Sequence, residues 1–201
     1  MGMGMTLQAA SDKKIDELAR DARALDDFIR LGGNEDSANG AALQAILANA
    51  SALDPRFNSL IDIFGWRKKA GQELGPSLDL DRSFQALHYL FTGSPYQGRE
   101  PQCFLLHGGR DIGLYQREFK VRAITSSQLI DFELALRPID EEELMRRYNG
   151  KAMTAADIYP SVMWDRGDDE ARNFLCEKLK DLKRFLERTR AINEGMVMCV
   201  R

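Results

Sequence analysis

The stretch DLDRSFQALHYLFTG, residues 79–93, carries the clearest local folding signal in the chain. Its large apolar residues recur at the spacing of one helix face: Phe84, Leu87 and Phe91. Asp81 stands before them where an N-cap is expected, and Gly93 follows them as a stop signal, because glycine readily takes the left-handed conformation that ends many helices. The stretch therefore predicts a helix whose apolar face packs into the domain core.

The chain before this helix predicts one strand and a largely helical region. Residues 3–10 alternate loosely as a strand, and Ser11 is placed to cap one helix that runs to Gly32. Residues 33–78 hold further helical patterns and predict an insertion or elaboration packed on the core. Their last part, residues 66–78, is polar and rich in turn residues, so we expect a loop there.

The chain after this helix first predicts two strands and a helix. The apolar run at residues 103–106 suits a buried strand, and residues 119–123 alternate as a second one. Thr125 or Ser126 can cap the helix that follows. The large apolar residues that this helix carries are Leu129, Phe132, Leu134 and Leu136.

The last third of the chain is mainly helical. Asp140 begins a helix with acidic residues in its first turn, and a much longer helix follows with Gly195 as its expected C-cap. Residues 196–201 predict a terminal strand. The long helix carries a stripe of leucines: Leu175, Leu179, Leu182 and Leu186.

These elements predict a single α+β domain over residues 1–201. It is rich in helices, with a small, mainly antiparallel sheet and a long C-terminal helix followed by a terminal strand.

Composition and charge narrow the function classes. A net charge of -3 argues against a general nucleic-acid binder, which needs a strong positive excess. The three cysteines form no C-x-x-C pair, so they fit neither a disulfide framework nor a zinc site and favour a reducing, cytoplasmic compartment. The sequence has no apolar run long enough to span a bilayer, and it predicts no membrane association and no cofactor.

Three short patterns in the sequence bear on whether the protein is an enzyme. The glycine pair after His107 suits an oxyanion loop, yet the sequence holds no G-x-S-x-G nucleophile elbow. Asp79 and Asp81 form the D-x-D pair of phosphotransferases, but residues 75–78 do not predict the buried strand that this chemistry needs. His88 shares the helix of the apolar face and is expected to be a core-edge histidine. We therefore predict no enzyme.

The densest acidic cluster is the best candidate for a contact surface. It lies at the start of the long helix and consists of Asp165, Asp168, Asp169 and Glu170. Acidic residues at a helix start also complement the helix dipole, so a structural explanation stays open. As secondary contacts we predict Trp164, Asp79 and Trp66, the two tryptophans because aromatic residues in loops often anchor interfaces.

The chain resembles the YfbM-like family, a bacterial domain of unknown function, at several separated places. The matching segments are MGM (1–3), DLDRSFQALHYLFTG (79–93), HGGRDIG (107–113), YNGKAMTAADIYPSVMWD (148–165) and MVMCV (196–200). This resemblance implies an α+β fold and a bacterial cytoplasmic protein, and it supplies no catalytic residues. Some related domains serve as immunity proteins that neutralise toxins delivered between bacteria.

Residues and resemblance together favour a non-enzymatic immunity protein that covers the active site of a basic toxin domain. The alternative is a small hydrolase or other enzyme with its site around His88 and His107. A third hypothesis is a module that forms homodimers through its apolar helix faces.

Overall fold

The computed structural model describes residues 3–32, 75–166 and 169–201. Trp66, Asp168 and almost all of the predicted helical elaboration lie outside these ranges. The described strands are β1 (Met5–Ala10), β2 (Ser77–Asp81), β3 (Arg110–Tyr115), β4 (Phe119–Ile124) and β5 (Gly195–Val200). The described helices are α1 (Asp12–Leu18), α2 (Ala22–Gly32), α3 (Phe84–Thr92), α4 (Ser126–Leu136), α5 (Glu141–Arg147), α6 (Gly150–Ala155) and α7 (Glu170–Ala191).

The five strands form one sheet in the order β2-β1-β5-β4-β3. Every neighbouring pair is antiparallel, which confirms the predicted α+β fold with its antiparallel sheet. The first and last strands pair near its centre, where Leu7 lies opposite Met198. The two ends of the chain are therefore held together by backbone hydrogen bonds.

Both faces of the sheet are covered by helices. In β5, Met198 contributes to the larger core, which contains residues of α3 to α7, while its neighbour Val197 contributes to a smaller core with α1 and α2. Successive side chains of a strand point to opposite faces, so this alternation gives three layers, helices, sheet and helices. None of the described helices is both long and apolar enough to cross a membrane.

The prediction that Asp81 caps α3 was wrong. Asp81 instead ends β2 at a φ of 50°, and Ser83 occupies the N-cap position without a side-chain cap bond. The Asp79 carboxylate accepts a hydrogen bond from the Asp81 N–H at 2.7 Å, so a turn that aspartate favours replaces the cap. The apolar face of α3 is confirmed, with Phe84 and Leu87 buried and Gly93 in the left-handed conformation.

Ser77 and Leu78 were expected in a loop and belong to β2 instead. The D-x-D pair therefore lies within a strand, which the sequence analysis did not predict. β2 is the last strand at one end of the described sheet, and both Asp79 and Asp81 are exposed. The buried setting that an aspartate nucleophile needs is absent at these two residues.

The helix predicted from Ser11 to Gly32 is two helices. Asp21 interrupts it, because the Asp21 carboxylate accepts hydrogen bonds from the N–H groups of Arg23 and Ala24 at 2.9 and 3.1 Å. These are the bonds of a second N-cap. The predicted cap at Ser11 is confirmed, since its hydroxyl accepts from Lys14.

The apolar run at residues 103–106 is not a strand. Its first three residues are buried and Leu106 is partly buried. The backbone turns back on itself, with the N–H groups of Leu106 and His107 donating to the Cys103 carbonyl at 3.0 and 2.8 Å. Short apolar runs do not distinguish a buried strand from a buried turn. The strand of this region is β3, whose pairing with β4 is interrupted by an irregularity between Asp111 and Gly113.

On α4, Leu129, Phe132 and Leu136 are buried, whereas Leu134 is 46% exposed. One smaller prediction in the C-terminal half also needs correction. Gly195 is the first residue of β5 rather than a helix cap, and a Cβ there would collide with the Ile124 carbonyl. Close backbone approach therefore explains this glycine, while Asn193 takes the positive φ after α7.

Candidate functional site

The loop of residues 157–166, between α6 and α7, is held by buried side chains. Trp164 is 2% exposed, and its indole N–H donates to the Ile158 carbonyl at 2.8 Å. The Tyr148 hydroxyl donates to the Trp164 carbonyl at 2.6 Å, and the Tyr159 N–H donates to the Gln85 side chain at 2.8 Å. The expectation that Trp164 is an exposed contact residue was wrong, because this side chain anchors the loop.

The same loop exposes an apolar residue. Val162 is 73% exposed, although the backbone on both sides of it is fixed. Its carbonyl accepts from the Arg166 guanidinium at 3.0 Å, and the neighbouring Ser161 carbonyl accepts from the Thr154 hydroxyl at 3.2 Å. Val162 also lines a shallow cavity of about 120 Å³ together with Arg82, Pro160, Met163, Arg166, Glu170 and Ala171.

The described acids of the predicted cluster lie among arginines, so the charge near Val162 is mixed. Asp165, Asp169 and Glu170 are all exposed. Arg82 and Arg166 line the same cavity as Val162 and Glu170, whereas Asp165 and Arg172 line a second cavity, and Asp169 pairs with Arg172 at 3.5 Å. We call these residues together the Val162 surface: Arg82, Val162, Asp165, Arg166, Asp169, Glu170 and Arg172.

Asp79 lines neither cavity of the Val162 surface. It lines a different cavity together with Lys178 and Arg184 of α7, and the Lys178 ammonium donates to the Asp79 carbonyl at 2.9 Å. Of the predicted contact residues, the structure therefore places Asp165, Asp169 and Glu170 on the Val162 surface and Asp79 at this other cavity.

The two histidines of the chain, His88 and His107, contact each other. Their ring centroids are 5.8 Å apart in an edge-on arrangement with an interplanar angle of 66°. His88 is fully buried on α3, whereas His107 is exposed in the turn after residues 103–106. The sequence places them 19 positions apart and does not predict this contact.

His88 is a neutral donor. Its Nε2 lies 3.1 Å from the Gln97 carbonyl, which can only accept, so Nε2 carries the hydrogen. Its Nδ1 has no hydrogen-bond partner. Burial lowers the pKa of His88 from 6.5 to about 4, helped by the nearby His107 and Arg122 and opposed by the Gln97 hydrogen bond.

Arg122 was missed by the sequence analysis. From β4 its guanidinium donates to the carbonyls of Phe104, Leu105 and Gly108, with the shortest bond, to Leu105, at 2.7 Å. It therefore holds the turn that carries His107. Desolvation lowers the pKa of Arg122. The sequence did contain an indication of this role. Arg122 stands between Val121 and Ala123 on a strand, so its side chain must point to one of the two faces of the sheet, and helices cover both faces.

An open cavity of about 630 Å³ adjoins His107. It is lined by Thr92, Ser94, Tyr96, Gln97, Gly98, Arg99 and His107, and we call it the histidine pocket. Within the described parts of the chain, no three His, Cys, Asp or Glu side chains are grouped to hold a metal ion. Cys103 is nearby, but burial raises the pKa of its thiol, which disfavours the nucleophilic thiolate.

The low pKa of His88 predicts acid sensitivity. Below about pH 6.5 the unfolded chain binds a proton at His88, while the folded protein does not until about pH 4, so protons favour unfolding. We expect the free energy of unfolding to fall by up to about 3 kcal/mol over this interval. Chemical denaturation between about pH 4.5 and pH 7 measures it, with His88→Gln as the control that lacks the titrating group. Equal pH slopes for both proteins would contradict the prediction.

Comparison with known proteins places the chain in a family. A family model described as "Domain of unknown function (DUF1877)" matches residues 1–199. The chain belongs to the DUF1877 family. The DUF1877 chain is also similar to the solved structure of YfbM from Escherichia coli, a protein of unknown function, with a TM-score of 0.60 and 13% identity over 98% of this chain and 99% of that one. At this identity the match shows the fold alone. No curated protein sequence matches the chain.

These matches confirm the YfbM-like resemblance. The family and the matched structure are both of unknown function, so a function for this DUF1877 protein rests on its own surface and pocket.

Proposed function

We propose that this DUF1877 protein is a non-enzymatic binding protein that neutralises a bacterial toxin by covering its active site. The observation that carries the proposal is the exposed Val162 on a loop fixed by Trp164, Tyr148 and Gln85. An apolar side chain held in one position by buried anchors loses little conformational freedom when a partner covers it.

The composition of the Val162 surface supports a protein partner. Protein interfaces combine an apolar centre with a polar rim that fixes orientation. Here Val162 provides the exposed apolar side chain, and Arg82, Arg166 and Glu170 line the same cavity. The Val162 surface carries both acids and arginines. It therefore favours a partner whose contacting surface also carries charges of both signs.

The choice of a toxin domain rests on the family resemblance and on charge. Some domains related to the YfbM-like family serve as immunity proteins, and a net charge of -3 would speed association with a basic domain. A cytoplasmic, bacterial location suits this role. A bound inhibitor needs neither a cofactor nor a nucleophile, so the proposal requires no chemistry from the described residues.

Co-purification tests the proposal. The full chain is co-expressed with the product of the neighbouring gene, and we expect a stable complex in size-exclusion chromatography and loss of that product's toxicity. An unrelated protein of similar charge serves as the control. A neighbouring product that is not toxic, or that binds no more tightly than the control, would contradict the proposal.

A second candidate function, a small hydrolase or other enzyme, is favoured by one observation, the contact between His88 and His107. Only His107 of this pair is exposed, so His107→Ala is the informative variant. An enzyme should lose turnover in this variant, whereas an inhibitor should keep its affinity for the toxin. Alanine at both histidines extends the test only where the variant stays folded.

A further inference from the structure

We propose that the histidine pocket binds a small molecule carrying a phosphate group, with Arg99 and His107 as its main phosphate ligands. This site is separate from the Val162 surface and is independent of the proposed toxin binding. Nothing in it requires that the bound molecule be chemically changed.

The lining of the pocket is rich in hydrogen-bond donors. Arg99 is exposed, and its guanidinium has no ion pair or hydrogen bond with any described residue. The Ser94 hydroxyl accepts from the Gln97 N–H at 3.1 Å, which leaves its own hydrogen free to donate. No lining residue is a carboxylate. A guanidinium, an imidazole and hydroxyl groups without acids are the groups that bind phosphate oxygens.

A buried positive charge lies behind the pocket. The hydrogen bonds of the Arg122 guanidinium all go to carbonyl groups, those of Phe104, Leu105 and Gly108, and the Asp111 carboxylate acts on it only through space. Electrostatic attraction to an anion is stronger beside such a poorly solvated charge than in bulk water. Glu100 is the acid of the same loop, but it lies near Gly108 and is not part of the lining.

The histidine pair adds to this preference. His107 stands at the pocket wall with His88 behind it. Because burial keeps His88 uncharged near neutral pH, the pair brings no buried imidazolium, and its exposed member, His107, offers a ring N–H to a phosphate oxygen.

The size of the pocket indicates more than a free phosphate ion. Its volume of about 630 Å³ falls in the range of pockets that hold small organic ligands. Tyr96 is 57% exposed at its edge and offers an aromatic ring to the remainder of the molecule. A phosphate monoester of a sugar or nucleoside therefore fits better than inorganic phosphate alone.

Titration of the purified full chain tests this inference. Inorganic phosphate and adenosine monophosphate are the probes, followed by calorimetry and by the NMR signals of the His107 ring. We expect adenosine monophosphate to bind more tightly than phosphate, and Arg99→Ala and His107→Ala each to weaken its binding at least tenfold.

A matched control variant distinguishes binding at the histidine pocket from nonspecific attraction of the anionic probe to a surface arginine. Arg20 is exposed and unpaired among the described residues, and it lies between α1 and α2 on the other side of the sheet. Arg20→Ala should bind like the unaltered protein. The inference is overturned by a lack of binding of both probes, by unchanged affinity in folded Arg99→Ala and His107→Ala, or by equal weakening in Arg20→Ala. The titration contains no toxin, so a negative result would not contradict the proposed toxin binding, which the co-purification tests separately.

Discussion

Trp164→Ala is expected to lower the free energy of unfolding by about 3–5 kcal/mol, the range seen when a large buried aromatic side chain is removed. Trp164 is among the largest fully buried side chains in the described structure. The substitution leaves a cavity and also removes the indole N–H group that donates a hydrogen bond to the Ile158 carbonyl. Chemical denaturation followed by circular dichroism measures the change.

Trp164→Phe is the milder variant. It retains a buried six-membered ring but loses the bond to Ile158 and leaves a smaller cavity, so we expect about 1–3 kcal/mol of destabilisation. If Trp164→Ala stays within about 1 kcal/mol of the unaltered protein, the anchoring role is wrong. The inference that Trp164 fixes the loop that exposes Val162 would then have no physical support.

Arg122→Met is the second substitution with a large expected effect. It should lower the free energy of unfolding by about 3–5 kcal/mol, because the carbonyls of Phe104, Leu105 and Gly108 lose a charged donor in a buried turn. Methionine keeps an unbranched, flexible stem without the hydrogen-bonding guanidinium. Denaturation curves of the variant provide the measurement.

Arg110→Met is the matched control for Arg122→Met. Arg110 lies on neighbouring β3 and forms a surface ion pair with Asp16, in which both side chains are about half exposed. Exposed ion pairs contribute at most about 1 kcal/mol, so this variant should remain nearly as stable as the unaltered protein. Equal stability of the Arg122 and Arg110 variants would show that Arg122 does not hold the turn.

The helices were largely predictable because their signals are local. Thr125 and Gln128 form a capping box three residues apart, and the Asp140 carboxylate accepts from the Glu143 N–H. A few adjacent residues therefore define each of these helix starts. The error at Asp81 has the same origin, since aspartate also favours turns. Local sequence does not decide between a cap and a turn at the end of a strand.

The strands and the sites depend on contacts that are distant in sequence. β3 reads as a polar stretch, and its pairing with β4 becomes visible only in three dimensions. The same holds for His88 with His107 and for Trp164 with Tyr148. Acidic residues near position 165 could be predicted as exposed, but the arginines that balance them come partly from other elements, such as Arg82 beside β2.

The most direct test of the account is the affinity of the toxin for a variant altered only at Val162. Val162→Asp places a charge at the centre of the proposed contact, and Leu134→Asp does so at an exposed leucine of α4 that is outside the Val162 surface. Calorimetry with the purified neighbouring toxin should show at least a hundredfold weaker binding for Val162→Asp, equivalent to about 2.7 kcal/mol, and unchanged binding for Leu134→Asp. Equal affinity of the two folded variants would contradict the assignment of the Val162 surface.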